Sequence, residues 1–121
     1  MPILRHHYVL AVPDLERSAA WYAAALGCER DDVDPGNWVF MRSGDVTFML
    51  GRCPDALPIA DLGDHQYFAY LVVDDVDAWH RRAEEAGAKI QFPPRDQLWG
   101  MRECAIHTVD GHRLMIAQEL D

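Results

Sequence analysis

The sequence predicts an α+β fold built of two tandem βαβββ modules, and three observations carry that expectation. The first is an internal repeat. HYVLAVPDLERSAAWYAAALG, from His7 to Gly27, is echoed by FAYLVVDDVDAWHRRAEEAG, from Phe68 to Gly87, each an extended apolar run, an aspartate, an amphipathic stretch and a glycine. The second is that each copy is followed by a glycine running into a hydrophobic strand, GDVTFML from Gly44 and GHRLMIA from Gly111. The third is length: half of a 121-residue chain is too short to bury a good core alone, so both modules are expected to share a single domain, residues 1–121.

The first module is expected over residues 1–53. Residues from Ile3 to Val12 are apolar and β-branched in patches, and Pro13 with Asp14 stops the strand. Asp14 is a good helix N-cap, Leu15, Ala19, Tyr22 and Leu26 recur at helical spacing, and Gly27 stands where a helix ends in a left-handed residue. Short strands follow near Cys28 to Asp32, Trp38 to Arg42 and Val46 to Gly51, the last two joined by the turn RSGDV. Residues 54–65 hold two prolines and little periodicity and read as a linker.

The second module, residues 66–121, repeats the order. Tyr67 to Val73 is a strand, Asp75 caps a helix through Ala86, and Gly87 ends it. Ala88 to Phe92 gives a short strand before Pro93 and Pro94 interrupt. Met101 to Thr108 and Arg113 to Gln118 form a hairpin across VDGH.

Composition narrows the function classes. Twenty acidic against eleven basic side chains give a formal charge of −9, which repels phosphate backbones and argues against nucleic acid. The same charge favours a cationic small molecule. No apolar run approaches a membrane span, and the first residues lack the pattern of a secretion signal, so a soluble protein with no membrane partner is expected. Cys28, Cys53 and Cys104 cannot all pair within one chain and are not spaced like zinc ligands, which points to a reducing cytoplasm. There is no glycine-rich phosphate loop, nucleophile elbow or Cys-X-X-Cys motif.

With VPDLERSAAWYAAALG after the first strand and VDGHRLMIAQ near the end, the chain resembles the vicinal oxygen chelate superfamily of glyoxalase, extradiol dioxygenases, fosfomycin-resistance enzymes and bleomycin-resistance proteins. QLWGMRECAIHTVDGHRLMIAQEL is especially similar to the carboxyl end of the bleomycin-resistance-like branch. The resemblance implies a curved mixed-sheet cleft, the glyoxalase/bleomycin-resistance fold. Its enzymes usually hold a divalent metal at four equivalent strand positions. Matched by motif, these are His7, Phe48, Phe68 and Met115 here. Phenylalanine has no donor atom and a thioether is a poor ligand for hard or borderline metals, so no metal and no cofactor are expected.

Strand alternation sorts the other candidates. Trp38, Phe40 and Phe48 are placed on the concave face of the first module with His7, and Phe68, Tyr70, Met101, Glu103, His107, Arg113 and Met115 on that of the second. Val39, Met41, Leu71, Val73, Ile106, Leu114 and Ile116 point toward the helices. Trp99, beside Gly100, is expected in a loop at the cleft. The bland readings are packing for the aromatics, solvated strand ends for Glu103, His107 and Arg113, and a polar contact or plain packing for His7. His65 becomes a ligand only if the strand register slips.

The function expected is a metal-free small-molecule binding protein of the bleomycin-resistance type, homodimeric, holding an aromatic or cationic amphiphilic ligand and catalysing no reaction. Two alternatives stay open. One is an enzyme (lyase, isomerase or dioxygenase) with a displaced metal site using His7 and Glu103 or His107, or with cofactor-free acid–base chemistry; the other is a scaffold.

Overall fold

The structure, a computed structural model, describes residues 1–2, 4–56 and 66–121. Ile3, at the head of the expected first strand, and His65, with the expected linker from residue 57 onward, lie outside the described residues. Two compact units emerge, Met1–Leu57 and Pro58–Asp121. Each contains strand, helix and three strands in that order.

In the first unit β1 (Tyr8–Val12) leads through Pro13 into α1 (Leu15–Leu26). The Asp14 carboxylate accepts from the Arg17 N–H at 3.1 Å, satisfying one of the amides a helix start leaves open. Leu15, Ala19, Tyr22 and Leu26 are all buried, and Gly27 closes the helix at φ 67°. β2 (Glu29–Asp34), β3 (Trp38–Ser43) and β4 (Val46–Arg52) complete a sheet of order β1-β4-β3-β2, in which β1 runs parallel to β4 and the other pairs are antiparallel. α1 packs on one face, where Tyr22, Val39, Met41, Phe48 and Leu50 lose essentially all solvent contact.

The second unit repeats this plan with β5 (Tyr67–Val72), α2 (Val76–Glu85), β6 (Lys89–Asp96), β7 (Met101–His107) and β8 (Arg113–Glu119), in sheet order β5-β8-β7-β6. Asp75 accepts from the Ala78 N–H at 3.2 Å, and the Val76 N–H donates to the Gln118 side chain at 3.0 Å, so the start of α2 is anchored to β8. The two helices are tied to their sheets alike. Arg30 makes two hydrogen bonds to Glu16 in the first turn of α1, and Arg102 makes two to Asp77 in the first turn of α2.

Two expectations need correction. Pro93 and Pro94 do not end β6, which runs on to Asp96, because the register shifts between Phe92 and Arg95 put both prolines in a bulge where the ladder asks for no N–H. Phe48 is not on the open face of its sheet. It is 1% exposed and its ring lies 4.9 Å from that of Tyr22 on α1, so it belongs to the core between helix and sheet. The error is one residue of strand phase, which moves a side chain to the opposite face.

Candidate functional site

The face of the second sheet turned away from α2 is set by strand register. Glu103 stands opposite Ala117, Ala105 opposite Met115 and His107 opposite Arg113, while Tyr70 and Val72 of β5 face Met115 and Ala117. Arg102, Cys104 and Ile106 point to the helix side with Gln118, Ile116 and Leu114. Tyr70, Met101, Glu103, His107, Arg113 and Met115 thus share one face. Phe68 does not follow simply. It falls at the register shift between Tyr67 and Ala69, and its ring meets His112 edge-on at 5.9 Å.

Glu103 is the chemical centre of this face. It is 2% exposed, and one carboxyl oxygen, Oε2, accepts from both the Tyr70 hydroxyl and the Trp99 indole N–H, the latter at 3.1 Å. The other oxygen, Oε1, is buried with no hydrogen-bond partner among the described residues. Burying an acceptor unpaired costs on the order of 1–3 kcal/mol, so such an atom asks for an explanation. Small neighbours Ala105 and Ala117 leave the carboxyl room on the sheet. Arg95, its ladder partner on β6, lays its guanidinium over the Phe92 ring, 3.9 Å from the centroid.

Trp99 reaches Glu103 from the β6–β7 turn. The Gln97 N–H donates to the Met101 carbonyl at 2.7 Å, and Gly100 takes φ 82°, a left-handed value that suits glycine. The Trp99 side chain folds back toward β7 yet stays 65% exposed. Tyr70 is pushed up to about 12, first by burial and then by its bond to Glu103 and that group's charge, so it remains a phenolic donor near neutrality. His107 is held below the usual histidine value by burial and by Lys89 and Arg113, which lie on either side of it in the sheet. Four residues along one strand separate His107 from Glu103 by about 13 Å, too far to act as one acid–base pair.

In the first unit the open face carries Trp38 and Phe40 of β3 with Met49 and Gly51 of β4. Trp38 covers Gly51 so closely that a Cβ there would fall 2.7 Å from its ring. His7 is exposed and precedes β1; with Leu4, Arg5, His6 and the β3–β4 turn it borders a recess of about 490 Å³. Thiol chemistry has little support, since burial pushes Cys104 up to about 11 and a bond to Asp55 raises Cys53.

Register also revises the four family metal positions. Met41 pairs with Phe48 as Ile106 pairs with Leu114, and Phe40 pairs with Met49 as Ala105 pairs with Met115. The counterpart of Met115 is therefore Met49, which sequence reasoning missed. The signal was hairpin length: two residues separate β3 from β4 and five separate β7 from β8, so Gly44 and Gly111 are not equivalent. The donor set becomes His7, Met49, Phe68 and Met115, one imidazole with two thioethers and a hydrocarbon ring, which does not fit a hard or borderline divalent cation. Among the described residues no three His, Cys, Asp or Glu side chains gather as a metal site. No described helix is long and apolar enough to cross a membrane.

Comparison with known proteins places this architecture. Among solved structures, TioX from Micromonospora sp. ML1 superposes with TM-score 0.76 at 24% identity, over 95% of this chain and 99% of that one. Lactoylglutathione lyase from Agrobacterium tumefaciens gives 0.72 at 22% identity, over 98% and 96%. At these identities the likeness is one of fold. An uncharacterised protein of Mycobacterium bovis is 35% identical over 78 residues, 64% of this chain and 50% of that protein, so the match spans about half the length of the curated relative. The family profile for the Glyoxalase/Bleomycin resistance protein/Dioxygenase superfamily matches residues 5–116. With that profile covering nearly the whole chain and two βαβββ units beneath it, the protein belongs to the glyoxalase/bleomycin resistance protein/dioxygenase superfamily.

Proposed function

We propose that the chain is a metal-free small-molecule binding protein of the bleomycin-resistance type, which sequesters an aromatic or cationic amphiphilic ligand. The observation that carries this is the buried Glu103 carboxyl, bonded by Tyr70 and Trp99 on the sheet face turned away from α2. Aromatic rings beside a carboxyl group suit a planar, positively charged molecule, and the −9 net charge raises the local concentration of such ligands. Binding alone protects a cell by lowering free ligand, with no bond broken. Sheet edges and open faces also invite a second copy, so the reading includes a homodimer. Cys28, Cys53 and Cys104 form no disulfide with one another, which accords with a reducing, cytoplasmic setting.

The test is a tryptophan-emission titration with a panel of planar cationic aromatics, bleomycin-like glycopeptides included. Saturable quenching that weakens with added salt is expected, since charge attraction is screened by ions. No saturable signal across the panel sinks the reading, and multiple-turnover conversion of a bound compound moves the protein to the enzyme class. Light scattering that shows only monomer at micromolar concentration removes the dimer.

A further inference from the structure

We infer that Glu103 sets the specificity of this site by demanding a cationic N–H donor, so that an amidinium or guanidinium group on a planar ring is the ligand chemistry it takes. The inference rests on the binding-protein reading and goes beyond it in naming the recognised group and the atom that recognises it.

The argument starts from the two oxygens of one carboxyl group. Oε2 already accepts two hydrogen bonds, from the Tyr70 hydroxyl and the Trp99 indole N–H. Both donors come from rings, neither brings a positive charge, and both fix the carboxyl plane. Oε1 is left buried without a partner among the described residues. Tyr70 stays protonated far above neutrality, so at working pH its hydroxyl hydrogen is committed to Oε2. A carboxyl oxygen accepts, so the partner that Oε1 lacks among the described residues is a donor.

The cation paired with Glu103 in the ladder is engaged elsewhere. Arg95, opposite Glu103 in the ladder, has its guanidinium over Phe92. A metal ion needs more donors than one carboxyl group supplies. A planar N–H cation needs only a carboxyl oxygen and a ring to lie against, and Tyr70 and Trp99, 42% and 65% exposed, present those rings to solvent. Charge-assisted bonds to a buried carboxyl are stronger than neutral ones, so the site separates an amidinium from the amide of the same shape.

Three probes of one size decide it: benzamidine, benzamide and benzoate, titrated by NMR and by calorimetry against the full chain. Benzamidine is expected to bind on the order of tenfold more tightly than benzamide, and benzoate not to compete. Glu103→Gln keeps the shape and removes the charge, so it should erase the preference for benzamidine and bring the ratio of the two affinities to about one. Should that variant fail to fold, Trp99→Phe at the exposed turn replaces it. Removing the indole N–H frees Oε2 for a two-pronged amidinium contact, so the ratio of benzamidine to benzamide affinity rises. Equal affinity for the two probes in the parent chain, or an unchanged ratio in both variants, overturns the inference and leaves the binding-protein reading standing. Absence of binding by any aromatic removes both.

Discussion

Trp38 and Glu103 occupy the same position in the two units. Trp38 stands opposite Gly51 in the β3–β4 pair, and Glu103 stands opposite Ala117 in the β7–β8 pair. Each is on the sheet face away from its helix, and each faces a small residue that leaves it room. Duplication has kept the space and changed its filling, apolar in one unit and ionisable in the other. Asymmetry of this kind concentrates polar chemistry on the second unit.

The close approach of Trp38 to Gly51 is testable through stability. A methyl group at residue 51 comes 2.7 Å from the Trp38 ring, and the ring must tilt. Gly51→Ala should cost about 1 kcal/mol, the low end for overpacking, since the far edge of a side chain gives way more readily than backbone. Chemical denaturation reads the loss. Pairing it with Trp38→Leu should recover most of it, and a double-mutant cycle with no coupling would show that the two residues do not press on each other.

Phe48 should behave as core. Its ring packs between Tyr22 and Tyr8, at centroid distances of 4.9 and 5.8 Å. Phe48→Ala is expected to destabilise by about 3–5 kcal/mol, whereas Phe40→Ala on the open face, half-buried, should cost less. If Phe48→Ala folds as stably as the parent and loses only ligand binding, the residue is a cleft residue after all.

The legibility of the fold in the sequence follows from what each signal depends on. Asp14 and Asp75 as caps, Gly27 as a left-handed terminator and the helix faces were readable because they rest on local geometry. The phase of β4 was not, since aligning Gly44 with Gly111 assumed equal hairpin loops. The bulges around Phe68 and between Phe92 and Arg95 carry no local signature strong enough to find them, apart from the two prolines, which by themselves read equally well as the end of a strand. Glu103 was picked out by alternation alone. Its two ring donors converge from a different strand and from a turn, contacts that sequence spacing does not encode.

His112 gives a pH dependence of defined sign. It is 8% exposed, its ring meets Phe68 edge-on, and burial holds it below the usual histidine value of 6.5 against a weaker opposite pull from Asp110. The unfolded chain therefore takes up the proton first. The stability this group contributes is complete above about pH 6.5 and is lost as pH falls through the folded value. NMR titration should show the His112 ring protonating below the value of a histidine in a short peptide. A ring titrating at or above that value would reverse the sign and refute the burial argument.

Trp99→Ala separates binding from folding. The side chain is 65% exposed and sits in a turn whose backbone bond, Gln97 to Met101, does not involve it. The cost in folding stability should be that of the lost bond to Glu103, about 1–2 kcal/mol, and the variant should still fold. Affinity for a planar cation should fall by the value of one aromatic partner, on the order of 1 kcal/mol. Unchanged affinity would place the ligand elsewhere.

The metal prediction follows from donor chemistry at His7, Met49, Phe68 and Met115. A stable zinc, manganese, iron or nickel site takes about three protein ligands of nitrogen, thiolate or carboxylate type, and these four positions supply one imidazole. Protein purified without chelator or affinity tag should hold far less than one such metal per chain by elemental analysis. Adding zinc should not raise the thermal midpoint either, because only a metal that binds the folded state shifts it. One metal per chain, lost in His7→Ala, would put the family's metal chemistry back and remove the binding-only reading.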